Sequence, residues 1–293
     1  PTVNQHIVPQ AYLRRFATLT ENKNYQIGVG IRKKDGRNFF ATTQSVKNVG
    51  FVKNVYEFDC RKDTPNYWEN YFAEVIEPFC GTELSNIISN IESSQNAAVV
   101  LSHEDKCNLS VFICHQIFRS PQALEKSIQI GQKSIERGKK EAQSMLKSSF
   151  PPFLHSLLLN ALDNADFSKD EIKDIFMQSM SDVNRQEERT NALLDKIWIV
   201  YQNTTQLQFI TSDNPVCRKN CVTKSFSFED NTLKDPNSLI LFPLSPTILI
   251  EITPSHLLGS RPQKYDGRKF LLGQNDLSFI AGADTLQILQ CHR

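Results

Sequence analysis

The sequence predicts an α+β fold with segregated elements: an N-terminal β hairpin, a long helical middle and a C-terminal antiparallel-rich β-sheet around one packed core. Three observations lead there. Two β-rich runs, Tyr25 to Lys33 and Asn38 to Val46, are joined by Lys34-Asp35-Gly36-Arg37, whose Asp-Gly is a strong hairpin turn. Between about 101 and 196, apolar residues recur at helical spacing. After Lys196 the chain becomes short runs of β-branched and aromatic residues. Nothing in this order suggests a parallel Rossmann sheet. Without a linker rich in Pro, Gly or Ser, it reads as one α+β domain, 1–293, with a helical insertion at about 101–196.

Each element has its own reason. Pro9 suits the first residue of a helix, because its fixed φ fits and its missing N–H costs nothing there. Ala11 to Phe16 then make one or two turns, with Tyr12 and Phe16 on one face. From Val49 to Asp59 the chain is mixed, with a short extended piece. In Pro65 to about Ser94, Trp68, Phe72, Val75, Ile76 and Phe79 recur at three and four residues, and Pro78 or Gly81 should break or bend the helix. Ser102-His103-Glu104-Asp105 is a helix start, and its apolar face runs through Leu109, Phe112, Ile113 and Gln116 to Pro121. A Lys- and Gln-rich amphipathic helix covers Gln122 to Lys147, and another follows the Pro151-Pro152 break, from Phe153 to Asn164. Ser168 with Glu171 forms a capping-box pattern that opens a helix to about Lys196. Strands are expected at Ile197 to Gln202, Leu207 to Thr211, Ser225 to Glu229, Ser238 to Phe242 and Thr247 to Ile252. A short helix from Gln274 to Ala283 and a last strand from Thr285 to Cys291 close the chain.

Composition excludes more than it selects. The 293 residues carry a net charge of +1, so no global field draws the protein onto nucleic acid or anionic lipid. No apolar run approaches the ~20 residues that span a bilayer, and the polar opening lacks a secretion signal. The expectation is a cytoplasmic protein whose seven cysteines are mostly buried free thiols. Cys217-x3-Cys221 is the one close pair and has no second pair at zinc spacing, so no metal site and no cofactor is expected. The run from Lys133 to Lys147 reads as a solvated helix face. No phosphate-binding loop, GxGxxG, HExxH or EF-hand is present.

Three stretches concentrate the polar chemistry: His6-Ile7-Val8-Pro9-Gln10-Ala11-Tyr12-Leu13-Arg14-Arg15-Phe16, Gln116-Ile117-Phe118-Arg119-Ser120-Pro121, and Phe209-Ile210-Thr211-Ser212-Asp213-Asn214-Pro215. With the Phe242-Pro243-Leu244-Ser245-Pro246 strand and Asn275, they resemble a bacterial family called domain of unknown function 4238, over essentially the whole chain. The resemblance implies that His6, Pro9, Gln10, Tyr12, Leu13, Arg14, Phe16, Gln116, Arg119, Pro121, Ser212, Asp213, Asn214 and Pro215 belong to the family pattern. It assigns no activity.

The residues themselves leave three readings open. In the first, His6 and Asp213 are catalytic, Gln10, Arg14, Gln116, Arg119, Ser212 and Asn214 bind substrate, and the reaction is phosphodiester cleavage, most plausibly of RNA. An imidazole titrating near neutrality can give or take a proton, and guanidiniums offer planar forks to phosphate. In the second, the same side chains sense a small anionic ligand or nucleotide without chemistry. In the third, His6, Arg119 and Asp213 form a buried polar clasp, with Asp213 the natural ion-pair partner of Arg119. Ser212 lacks the elbow of a serine nucleophile. His115 lies about 100° from Gln116 on its helix and is expected to be structural.

Overall fold

The computed structural model describes residues 3–32, 39–149, 151–164, 166–227 and 231–291. In chain order these form β1 (Asn4–His6), α1 (Gln10–Leu13), β2 (Thr18–Leu19), β3 (Tyr25–Arg32), β4 (Phe39–Ser45), β5 (Phe51–Lys53), α2 (Tyr67–Tyr71) and α3 (Pro78–Ser93). The helical middle comprises α4 (His103–Phe118), α5 (Pro121–Ser149), α6 (Pro152–Asn164), α7 (Lys169–Ser181) and α8 (Val183–Leu194). The C-terminal part is β6 (Ile197–Asn203), β7 (Cys217–Asn220), β8 (Ser238–Ser245), β9 (Ile248–Thr253), β10 (Arg268–Leu272) and α9 (Leu277–Gln290). The fold is α+β, as the sequence predicts.

Three sheets result. β3 and β4 form the expected hairpin, with β2 on its edge; its Asp-Gly turn lies outside the described residues. Among the described residues β1 pairs with β5 alone, antiparallel. The large sheet has the order β10-β6-β9-β8-β7, antiparallel except for β10 against β6. Its faces alternate along each strand. Trp198, Val200, Ile240, Phe242, Ile250 and Ile252 point into the main core with the helices and α1, while Leu241 and Leu249 pack with Ile280 and Ala283 of α9. Pro243 is tolerated because β7 has ended by that register (Cys217 opposite Leu241).

The helix starts follow their chemistry. Ser102 and Asp105 make a reciprocal capping box on α4, as Ser168 and Glu171 do on α7. Asp182 interrupts the expected single helix after α7 by capping α8 through the Arg185 N–H. Lys269 of β10, 2% exposed, caps the end of α3 from the sheet edge through Ile91 O (2.9 Å) and Ser94 O.

Three expectations are corrected. Leu207 to Thr211 lies outside every ladder, and the described part of Ser225 to Glu229 is not a strand. Thr285 to Cys291 is not a strand either: α9 continues to Gln290 because its apolar residues cover the large sheet. The helix from Pro65 is interrupted just before Pro78, within the expected break or bend, by a π turn at Phe72–Ile76.

Candidate functional site

The site begins with the backbone of β1. Ile7 N donates to Gly50 O (2.9 Å) and Asn54 N to Val3 O (3.0 Å). With His6 opposite Phe51 and Asn4 opposite Lys53, both of these are non-hydrogen-bonded pairs, so the N–H and C=O of His6 point away from β5. Both groups are taken. The Arg119 guanidinium donates to His6 O, and the Glu69 carboxylate accepts the His6 N–H. Gln116 Nε2 donates to Ile7 O at 2.6 Å. One turn of α4 therefore grips the backbone of two successive residues.

Arg119 is 1% exposed and fully engaged. Its fork reaches Glu77 Oε1 (3.4 Å) and its Nε the Tyr56 hydroxyl (3.4 Å), while that hydroxyl donates back to Arg119 O (2.8 Å). The Phe72 ring lies under the guanidinium, 4.1 Å from its centroid. Gln5 completes the frame by accepting Tyr56 N–H (2.7 Å) and donating to Glu57 Oε1 (2.7 Å).

Glu69 and Glu77 reach this centre because of the π turn. On a regular α-helix, residues eight apart lie about 80° apart around the axis. The turn bonds Glu77 N to Phe72 O (2.9 Å), five residues back, and so absorbs one extra residue. The spacing becomes equivalent to seven, about 20°. Pro78 favours this, since it cannot donate to the Glu74 carbonyl that an α-helix would pair with it.

The His6 side chain is held differently from its backbone. Its ring is hydrogen-bonded to the backbone of Lys47, and its Nε2 is buried without a hydrogen-bond partner, so the anchor is Nδ1 and Nε2 presents the lone pair. Burial holds the imidazole below its ordinary pKa, helped by Arg119 and opposed by Glu77 and the Lys47 bond. Burial also holds the Glu69 carboxyl above its usual range; nearby Glu77 adds to this, while Arg119 and the His6 N–H oppose it. The two shifts bring an imidazole and a carboxyl toward each other. Glu69 Oε2, like His6 Nε2, is buried without a hydrogen-bond partner.

The expected residues divide. Arg119 converges with His6, but on its main chain, Gln116 reaches the next carbonyl, Ile7 O, and the acid that Arg119 meets is Glu77 rather than Asp213. Arg14 is exposed, 5.4 Å over the Tyr25 ring, and Gln10 opens α1, half-buried. The Ser-Asp-Asn-Pro turn joins the opening stretch through Tyr12, whose hydroxyl lies 3.0 Å from Thr211 Oγ1 and donates to Pro243 O (2.7 Å). Within that turn, Ser212 Oγ donates to Gln287 Oε1 (2.9 Å) and Asn214 Nδ2 to Gln290 O (3.2 Å), both on α9, with half-buried Asp213 between them. Glu69, Glu77 and Tyr56 escaped the sequence reading. The only available signal was Glu77 next to Pro78, since the helical phase of the two glutamates misleads.

His115 is structural, as expected. Its Nδ1 faces Val111 O (2.8 Å) and its Nε2 the Tyr71 hydroxyl (3.0 Å), and burial lowers its pKa to about 4. Among the described residues no group of three His, Cys, Asp or Glu side chains could hold a metal ion. No helix among them is long and apolar enough to cross a membrane. Two open clefts lie elsewhere: one of about 510 Å³ beside Lys196 and His256, and one of about 390 Å³ between α3 and α4.

Neither the curated proteins nor the solved structures contain a match to this chain. The model of one family, described as a protein of unknown function (DUF4238), matches residues 4–267. That span holds β1, the gripping turn of α4, both glutamates and the Ser-Asp-Asn-Pro turn, and the chain belongs to the DUF4238 family.

Proposed function

We propose that His6, Glu69 and Glu77 form an acid–base centre that cleaves RNA phosphodiester bonds, and that Gln116 and Arg119 hold it together. One observation carries the reading. The backbone of His6 is fastened on both sides, while its ring nitrogen Nε2 and Glu69 Oε2 are buried and left without partners. Buried polar groups are nearly always satisfied, and exceptions gather where chemistry is done.

In this reading RNA binding uncovers the buried Nε2, which takes the 2′-hydroxyl proton as that oxygen attacks phosphorus. Protonated Glu69 gives a proton to the departing 5′-oxygen, leaving a 2′,3′-cyclic phosphate and a 5′-hydroxyl. Arg119, behind the His6 carbonyl, offsets the charge of Glu77 and favours the developing negative charge through the field rather than by contact. Arg14 is the exposed guanidinium left to meet phosphate. The catalytic partner of His6 thus becomes Glu69 in place of Asp213. Labelled RNA incubated with purified protein tests this: His6→Gln and Glu69→Gln should each slow cleavage by at least about 10²-fold while both variants stay folded. Cleavage by His6→Gln at the wild-type rate would sink it.

A second reading has its own support. Arg119 and Gln116 are 1% and 2% exposed, as a purely structural clasp requires. On that reading His6→Gln changes neither turnover nor binding, and only Arg119 variants have a phenotype.

A further inference from the structure

We propose that the outward face of the β1–β5 ribbon is a platform for single-stranded RNA, with Phe51 stacking a base and Lys53 meeting the adjoining phosphate. This rests on the reading of His6 as an RNA-cleaving centre and names the form of its substrate. The register places the face. Side chains alternate along a strand, so Asn4, His6, Phe51 and Lys53 share one side of the ribbon, while Gln5 and Val52 turn inward. Gln5 is fully buried, Val52 packs against the main core, and Asn4 and Lys53 are exposed. Because both cross-strand pairs on this face are of the non-hydrogen-bonded type, their side chains stand close together. The His6 and Phe51 rings lie 6.0 Å apart at 63°, edge toward face.

Each residue fits one part of a nucleotide. Phe51, half-buried, offers a ring held by the ribbon at small entropic cost, and base–aromatic stacking tolerates any sequence. Lys53 lies two residues further along the same face, about 7 Å away, about one step along an extended strand. Exposed Lys47, whose backbone anchors the His6 ring, adds positive charge on the other side. A duplex does not fit this surface, since its bases are already stacked on one another and its 2′-oxygens are held away from in-line attack. DNA lacks the 2′-hydroxyl that His6 would deprotonate.

The test uses the full chain carrying His6→Gln, to suppress turnover, and a fluorescein-labelled ten-nucleotide RNA followed by anisotropy. Adding Phe51→Ala should weaken binding at least about fivefold; Phe51→Trp, which keeps a π face and packs the same ribbon, should retain it. Lys53→Gln should lower the slope of log affinity against log salt by about one. The platform is overturned if Phe51→Ala binds as tightly as its parent, or if blunt duplex RNA competes as well as the single strand. The two readings separate cleanly. Phe51-dependent binding without wild-type cleavage keeps the platform and removes the acid–base centre, whereas cleavage with KM unaffected by Phe51→Ala does the reverse.

Discussion

Two buried polar nodes fasten this molecule, and they differ in what they leave over. At Asp174 of α7 the carboxylate accepts Arg61 Nε, Trp68 Nε1 (2.9 Å) and Gln178 Nε2 (2.7 Å). Against burial, which would raise it, these three donors hold the carboxyl below its usual range. Arg61 also covers the Tyr67 ring at 4.1 Å. Each Asp174 oxygen is spoken for, and every donor is a side chain. At His6 the grip is equally tight but falls on the main chain, so the imidazole of the gripped residue keeps an unmatched nitrogen, and Glu69, which meets its N–H, an unmatched carboxyl oxygen. The difference separates fastening from reactivity: a node that spends all its capacity holds, and a node that holds by the backbone keeps a side chain in reserve.

The sharpest way to break the comparison is to remove the grip. Arg119→Ala leaves the His6 carbonyl without its donor, half-buried Glu77 without its cation and a cavity over the Phe72 ring, and should cost about 3–5 kcal/mol in denaturant unfolding. Arg119→Lys should recover little, because a point charge cannot serve carbonyl, carboxylate and ring at once. A loss below 1 kcal/mol for the alanine variant would show that the grip is not what holds β1.

Next in size is a pH effect from the same helix. His115 has its ordinary pKa of 6.5 when unfolded and about 4 when folded, so between those values the unfolded chain binds more protons. Stability should therefore fall as pH drops through that window, by up to about 3 kcal/mol. In His115→Phe most of that slope should vanish, leaving the smaller contribution of His6, whose shift has the same sign. A variant as acid-sensitive as the wild type would place the sensitivity elsewhere.

Asp174→Ala should cost about 2–3 kcal/mol by stranding Trp68 Nε1 and Arg61, with turnover at the His6 centre unchanged. Smallest of all on stability is His6→Gln: the bonds from Arg119 and to Glu69 are made by backbone atoms and persist, so unfolding should move by less than about 1 kcal/mol although activity is lost. Equal destabilisation by His6→Gln and Asp174→Ala would erase the distinction between the nodes.

The sequence made much of this legible. Both capping boxes, the hairpin and the meeting of Gln116 and Arg119 with the opening stretch follow from local chemistry and helical spacing. Other features lack a local signal. β7 reads Cys-Arg-Lys-Asn and is a strand only because β8 offers it an edge. The end of α9 has a strand-like composition, yet it lies on a sheet that supplies the apolar surface. Arg119 was visible as a fork next to His6, but whether a fork binds a side chain, a ligand or a carbonyl is decided by which way a strand's amides face. Glu69 and Glu77 were hidden for a plainer reason, since counting at 3.6 residues per turn puts them out of phase.

That last point bears on what kinds of change the chain can survive. The π turn at Phe72–Ile76 is one residue of surplus length. Straightening it to a regular α-helix at unchanged length would rotate everything downstream by about 100°, whereas deleting one residue there removes the surplus and keeps the phase. In the straightened full-length helix Glu77 would leave Arg119, and the buried row of α3, Cys80, Leu84, Ile87, Ile88 and Ile91, would swing away from the core together. Exposed Val75 can change its identity freely and one residue can be lost around it, but a segment of full length must keep the π turn.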